Sequence, residues 1–441
     1  MFHKLLVANR GEVAVRIIRA CQEMGIKTVA VYSEADRGSL PVLLSDRAIC
    51  IGPAPALDSY LNAAMLLEAA RQTGCDALHP GYGFLSENAD FAQATGESHM
   101  TFVGPPHEAM RKLGDKLAAR ELARQAGVPV TPGSEGEVRD AREAARLCAE
   151  IGYPVMVKAA AGGGGRGMRA ISQERDLETG LRMCQAEAHA AFGDGRVYIE
   201  KMVNNARHIE IQALADAQGS VVHLGERDCS AQRRHQKFLE ECPSPVVDES
   251  LRHKLGEWAI ALCRPAGYSG AGTVEFLVDE ERNCYFLEVN CRLQVEHPIT
   301  EMVTGVDIVC EQIRVAAGEP LAVPGSFDRL CGHAIECRIC AEDPEADFEP
   351  KPGQVTGLHL PGGNGIRIDS HLMPGCAIPP FYDSLIAKVI AWAPDRKQAI
   401  ARMRRALEEM IVEGVKTTIP FHLQFLQSER FQQGRVLLGT A

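Results

Sequence analysis

The chain has no surplus of positive charge: 47 lysines and arginines stand against 58 aspartates and glutamates, for a net charge of −11. A general nucleic-acid binder needs such a surplus to neutralise phosphates, so that class is excluded and any local basic cluster is to be read as a site. No apolar run approaches the length of a membrane-spanning helix. The first one, Leu5-Leu6-Val7-Ala8, breaks at Asn9-Arg10-Gly11, too early for a signal-peptide core. Paired metal-ligand spacing is also missing from the fifteen cysteines, which are scattered singly. Cys331, Cys337 and Cys340 form the only loose cluster, and zinc is the weaker reading of it. A reducing cytoplasm is the expected compartment.

What is present is ample core material, 46% hydrophobic against 24% charged residues, in a chain of 441 residues. That length predicts two or three domains. Up to residue 104, short apolar runs (Leu5–Ala8, Thr28–Tyr32, Ala77–Leu78, Thr101–Val103) alternate with helical patterns near 12–24 and 60–72, the mark of a doubly wound parallel sheet. Asn9-Arg10-Gly11-Glu12 follows the first strand, but the full G-x-G-x-x-G of a dinucleotide site is absent. A helical segment near 106–126 and a Pro/Gly-rich stretch, Val128–Gly136, make 105–134 a helical linker. Residues 135–202 read as a small α+β module with strands Val155–Lys158, Met168–Ile171 and Val197–Lys201 and a helix at 175–191. Residues 203–441 read as one mainly antiparallel sheet domain, with helices near 250–266 and 306–317 and a final amphipathic helix at 396–412.

Within the small module, Lys158 ends a strand and Gly162, Gly163, Gly164, Gly165 and Gly167 follow before the next strand. Glycines let backbone N–H groups close over an anion, and the lysine adds a point charge. A Walker A loop would place Gly-Lys-Ser/Thr at a helix start, whereas this tract runs into a strand and predicts a hairpin lid over a nucleotide. Glu200-Lys201 ends the strand at the next junction. By itself it reads first as an ordinary surface ion pair, with an adenine edge as the other reading.

Period-2 alternation in Arg207–Gln212 places His208, Glu210 and Gln212 on one strand face. The run Gln232-Arg233-Arg234-His235-Gln236-Lys237 gathers basic groups in an acidic chain and reads as a phosphate or bicarbonate pocket. Glu275 lies in one predicted strand, and Glu288 and Asn290 share a face of the next, joined through Asp279–Asn283. Two carboxylates and an amide oxygen are hard ligands suited to Mg2+. Arg292, Gln294 and Glu296 alternate in the extended-looking Asn290–Pro298, a guanidinium, an amide and a carboxylate that would hold a small oxyanion and take its proton.

These motifs, with His79–Asn88, Arg227-Asp228-Cys229-Ser230, Glu336–Ile339 and Tyr382-Asp383-Ser384, make the chain closely resemble the biotin carboxylase subunits of biotin-dependent carboxylases, of acetyl-CoA carboxylase type. The likeness covers essentially the whole chain. It implies a three-domain ATP-grasp architecture of α/β and α+β parts, and an enzyme that carboxylates biotin with bicarbonate and MgATP through carboxyphosphate. By resemblance, Lys116, Lys158, Gly163, Gly164, Gly165, His208, Gln232 and His235 would contact ATP, with Glu200, Lys201 and Val203 beside the adenine. Glu275, Glu288 and Asn290 would hold two Mg2+ ions, or Mn2+ in their place. Lys237, Arg292, Gln294 and Val295 would position bicarbonate, Glu296 would be the base, Tyr82 would lie near biotin and Arg338 would stabilise its enolate. The roles of Lys116, Tyr82 and Arg338 rest on resemblance alone.

Three departures stand out. Ala161 replaces a glycine of some members, Cys291 stands where many have threonine, and Asn364 stands where some carry a dimer-interface aromatic. A homodimer through Arg19, Glu23 and the region of Asn364 and Arg367 is expected, weakened by that last change. The chain shows neither a lipoyl-like domain nor a Met-Lys-Met attachment site. Biotin is therefore expected on a separate carrier protein, with a carboxyltransferase as the second partner. A carbamoyl-phosphate synthetase-like ligase and a non-catalytic nucleotide-binding regulator are the rival readings.

Overall fold

The computed structural model describes residues 1–162, 167–323, 325, 327 and 329–440. At the N-terminus five parallel strands lie in the spatial order Arg47–Cys50, Lys27–Tyr32, Lys4–Val7, Ala77–His79, Thr101–Phe102. Leu5, Leu6 and Val7 are wholly buried, as a central strand covered on both faces must be. The helix Gly11–Glu23 follows directly, and all but three of its residues are buried.

Its first turn carries Glu12, 4% exposed, with Oε2 3.3 Å from Lys388 Nζ. Burial pushes the Glu12 carboxyl up to about 7, with Lys388 opposing. A raised carboxyl binds a proton in the folded chain that the unfolded chain releases near pH 4.5, so its stabilising contribution fades as pH rises through 7. Between pH 6 and pH 8 the loss amounts to about 1 kcal/mol for this one group. Urea unfolding at the two pH values should show a correspondingly smaller drop in Glu12→Gln than in the parent; equal drops would show that Glu12 does not titrate there.

The helical segment after the N-terminal sheet is two helices, His107–Gly114 and Lys116–Gln125. Asp115 caps the second, accepting from the N–H of Ala118 at 3.0 Å, and this break places Lys116 in a first turn. Gly114-Asp115 is the stop-and-start signal that divides the helical segment expected near 106–126.

In the small module, Val155–Ala159 pairs antiparallel with Met168–Ile171 and Val197–Lys201, and the helices Ala141–Ile151 and Leu177–Phe192 accompany them. Gly163, Gly164 and Gly165 lie outside the described residues. Beyond them Gly167 re-enters at φ 64°, where a Cβ would stand 2.9 Å from that of Ala159, so a side chain is excluded on both counts.

The third sheet has eight antiparallel strands, ordered Cys284–Asn290, Gly270–Val278, Arg207–Ala215, Val221–Arg233, Gln236–Cys242, His333–Cys340, Leu385–Ala393, Ile366–Ser370. Every residue of Arg207–Ala215 is buried, so this strand is central and covered on both faces rather than half-exposed. One apolar cluster joins its Ile209 and Ile211 face to the helix Glu249–Cys263. The opposite, polar face looks into the site.

Two stretches differ from expectation. Asn290–Pro298 is not extended: the strand ends at Asn290, a turn follows, and a helix runs His297–Thr304 with Glu296 as its N-cap. Pro298 favours that helix start, and alternation over five residues does not distinguish a strand from a turn. The helix at 396–412 ends at Glu409, and a strand Ile411–Glu413 and two helices, Ile419–Gln427 and Glu429–Gln432, follow it.

Candidate active site

The polar face of Arg207–Ala215 holds the middle of the site. His208 Nε2 lies 3.0 Å from Glu275 Oε2, and its Nδ1 is 3.0 Å from Gln232 Nε2. Glu210 is completely buried and accepts from Arg227 Nε at 2.5 Å and from Lys237 Nζ at 2.6 Å. Arg227 reaches Gln212 Oε1, Thr300 Oγ1 and Thr273 Oγ1 with its remaining N–H groups. Every donor nitrogen of this buried guanidinium is thereby used, and the floor of the site is locked. Sequence reasoning placed Glu210 on the right face without a role and missed Arg227, whose partners come from separate strands and a helix.

Lys237 is the hub. Besides Glu210, its Nζ donates to Glu296 at 2.7 Å and to Glu275 at 3.1 Å. Burial disfavours its charge, but Glu210, Glu275 and Glu296 outweigh that and hold the ammonium well above the ordinary lysine range. Glu296, 0% exposed, also accepts from Arg338 Nη2 at 2.9 Å, and the thiol of Cys229 lies 3.7 Å from it. Its burial raises the carboxyl, yet Lys237, Arg338 and Arg227 hold it well below the usual carboxylate range. Arg338 is fixed on its other side by Glu240 at 2.6 Å. Burial pushes the Glu240 carboxyl up to about 7 against the pull of Arg338, and Glu296 raises it further.

The metal candidates come together as the spacing predicts. Glu275 and Glu288 are direct cross-strand partners, Asn290 Nδ2 donates to Glu275 at 2.8 Å, and Lys116 Nζ meets Glu288 Oε2 at 2.5 Å. Arg292 spans the rim, donating to Glu87, Asn290 and Gln294 at 2.9 to 3.1 Å, and Gln294 Nε2 leans toward Glu275 at 3.4 Å. Glu87 has no signal in local spacing, because it pairs across 205 residues. Cys291 sends its N–H to Glu87 while its side chain joins the apolar core.

In the small module, Lys158 pairs with Glu200, which also accepts from Arg120 and Thr131 at 2.8 and 2.9 Å. Glu200 is thus a buried acceptor rather than half of a surface pair. Lys201 turns away and donates to the carbonyls of Gly152 and Tyr153 at 3.0 Å. Val203 is half-buried in the following loop.

The basic run 232–237 does not act as one pocket. Arg233 pairs with Gln236 across a hairpin whose turn residues, Arg234 and His235, have φ of 50° and 64°. His235 is exposed at that turn, Arg234 pairs with Asp347, and Arg233 stacks on Phe348. Gln232 and Lys237 face inward because the hairpin's two strands put them in register. Tyr82 packs below, its carbonyl held by Asn9 Nδ2 at 2.8 Å and its ring 5.7 Å from Lys388 Nζ.

The site is therefore a cluster of alternating charges: the ammonium groups of Lys116 and Lys237, the carboxylates of Glu275 and Glu288 beside them, and the buried Glu296 carboxylate between Lys237 and Arg338. Known proteins match the chain from end to end. Residues 1–110 match the biotin carboxylase N-terminal domain, 115–323 the carbamoyl-phosphate synthase L chain ATP-binding domain, and 336–440 the biotin carboxylase C-terminal domain. The central model is shared with the rival ligase, and the two flanking ones decide between them. The chain is 55% identical to biotin carboxylase 1 of Bacillus subtilis, over 98% of this chain and 97% of that one. It is 52% identical to a pyruvate carboxylase subunit of Methanothermobacter thermautotrophicus, over 99% and 89%. Among solved structures, the biotin carboxylase domain dimer of Hydrogenobacter thermophilus 2-oxoglutarate carboxylase, in complex with MgADP, ADP and bicarbonate, superimposes with a TM-score of 0.96 at 49% identity, covering 98% of this chain and 96% of that one. The Campylobacter jejuni biotin carboxylase–β-γ-ATP complex gives 0.96 at 48%, covering 98% and 97%. With both flanking domains and the central ATP-binding domain matched, and relatives 55% and 52% identical over nearly the whole chain, this chain belongs to the biotin carboxylase family of the ATP-grasp superfamily.

Proposed function

We propose that this chain uses ATP and bicarbonate to carboxylate biotin on a carrier protein, the first half-reaction of a biotin-dependent carboxylase. The observation that carries this reading is Glu296, a buried carboxylate kept ionised between Lys237 and Arg338 and directly adjoining Glu275 through Lys237. Lys116, Lys158 and His208 orient the ATP phosphates, Gln232 holds the His208 ring, and Glu200 with the segment to Val203 borders the adenine. His235, at the hairpin turn, reaches the nucleotide from the rim. Arg292, Gln294 and the Val295 backbone hold bicarbonate against Glu296.

Bicarbonate gives its proton to Glu296 and attacks the γ-phosphate, which Lys237 steadies, and ADP leaves as carboxyphosphate forms. As Lys237 turns from the carboxylate to the phosphate, Glu296 loses its strongest acidifying neighbour and becomes the better base. Carboxyphosphate then yields CO2 and phosphate in a site closed to water. Phosphate takes the ureido proton of biotin, beside Tyr82, and Arg338 stabilises the enolate that captures CO2.

Glu275, Glu288 and Asn290 suit Mg2+, or Mn2+, by their chemistry: three hard oxygen donors on two paired strands. Bound there, the ions would neutralise the charge of the phosphate chain. The carrier and a carboxyltransferase would be the partners. Relatives named for pyruvate and 2-oxoglutarate carboxylation use the same fold, so its final acceptor varies. Arg19, Glu23 and Asn364 are exposed and available to a second copy in a homodimer.

The test follows ADP release and the incorporation of labelled bicarbonate into free biotin. Both should require Mg2+ and bicarbonate, and ammonia-dependent ATP cleavage without biotin would overturn the reading. In the same assay Glu288→Gln, which deletes a carboxylate ligand and the partner of Lys116, should raise the Mg2+ requirement and lower turnover by about 10²-fold. Unchanged turnover at low Mg2+ would remove Glu288 from the metal site.

A further inference from the structure

The strand Leu385–Ala393 carries one lysine, Lys388, which is 0% exposed. Its Nζ donates to the carbonyl of Val295 at 2.8 Å and lies 3.3 Å from Glu12 Oε2 and 3.9 Å from Asp369 Oδ2. Both carboxyl oxygens of Glu12 and of Glu336, the latter on the neighbouring strand, are buried without a hydrogen-bond partner, and burial pushes the Glu336 carboxyl well above the usual carboxylate range, so Glu12 and Asp369 are the closer charges facing the ammonium. A buried lysine needs such compensation. What it gains is unusual: a charged donor fixed on one backbone carbonyl in the turn that bears Gln294 and Glu296.

The Val295 carbonyl and the Glu296 N–H belong to one rigid peptide plane, so a donor fixed on the first sets the torsions on both sides of that plane. The preceding carbonyl, of Gln294, is held in the same way by His297 Nδ1 at 2.8 Å. Two successive peptides of the turn are thus pinned by fully buried side chains. None of the groups assigned to nucleotide, metal, bicarbonate or biotin does this.

We propose that Lys388 is a positioning residue for bicarbonate: it fixes the Val295–Glu296 peptide through the Val295 carbonyl, and its ion pair with Glu12 of the first helix orients the ammonium. This rests on the bicarbonate reading of the Gln294–Glu296 turn. Through Glu12 the first helix thereby contributes to the geometry of the base, beside Glu87, which already reaches Arg292 from the N-terminal region.

Steady-state kinetics with bicarbonate and ATP varied in turn provide the test. Lys388→Met keeps length and loses the donor, and should raise KM for bicarbonate about tenfold or more while KM for ATP stays within about twofold. A uniform loss of stability would not split the two constants. Because Lys388→Met leaves Glu12 buried without its cation, the double variant Lys388→Met/Glu12→Gln is measured beside it, and it should fold yet keep the raised bicarbonate KM. Gln294→Ala is the control. If Gln294→Ala raises KM for bicarbonate and the double variant does not, the role of Lys388 is overturned alone. If Gln294→Ala leaves that constant unchanged, the bicarbonate reading of the turn falls and the positioning role with it.

Discussion

Glu296→Gln is expected to lower bicarbonate-dependent ATP cleavage and biotin carboxylation together, by about 10²- to 10⁴-fold, the usual worth of a positioned general base. The substitution preserves shape and one acceptor oxygen. Lys237 keeps Glu210 and Glu275 as partners, and Arg338 keeps Glu240, so neither cation is abandoned in the interior. What disappears is the only buried carboxylate that touches both Lys237 and Arg338 among the described residues. Both activities should be measured on the same preparation, with circular dichroism to establish folding. Retention of ATP cleavage to within a few-fold would show that bicarbonate is deprotonated elsewhere.

Arg338→Gln should separate the half-reactions: carboxybiotin formation falls by about 10²-fold or more, as for loss of one charge-stabilising donor, while much of the biotin-independent ATPase survives. The structure sharpens this expectation. Arg338 is a partner of the base itself, so its removal also takes a cation from Glu296. Lys237 remains at 2.7 Å and Arg227 still opposes protonation, so the carboxylate stays ionised and ready for bicarbonate. Glu240 loses its partner, but with its carboxyl already pushed up to about 7 it can take up a proton instead of remaining as an uncompensated charge. Equal loss of both activities would mean that Arg338 serves the first step through Glu296, and the enolate role would be withdrawn.

Much of the site is legible along the chain because β structure has a local rule. Side chains two apart share a face. That rule alone brings His208 to Glu210 and Glu288 to Asn290, and a turn at Asp279–Asn283 is enough to add Glu275 across the hairpin. The same rule misleads where the chain stops being a strand. Arg292, Gln294 and Glu296 do converge, but through a turn and a helix cap, and alternation gave the right company for the wrong reason. The run 232–237 shows the limit from the other side: its charge is evident in the sequence, whereas a two-residue turn decides that Arg233 and Arg234 leave the cleft and Lys237 enters it.

By itself, then, the sequence determined the parallel N-terminal sheet, the antiparallel sheet of the third domain, the hairpin that bears Glu275, Glu288 and Asn290, and the family. All of these rest on residues close together along the chain, where periodicity and motif spacing carry the information. Only the tertiary structure decided which charges meet: Lys116 with Glu288, Arg292 with Glu87, Arg338 with Glu240 and Glu296, and Lys388 with Glu12 and the Val295 carbonyl. Several of these partners are separated by tens to hundreds of residues. A buried charge finds its partner through the order in which strands and helices pack, and no local pattern records what lies across that interface.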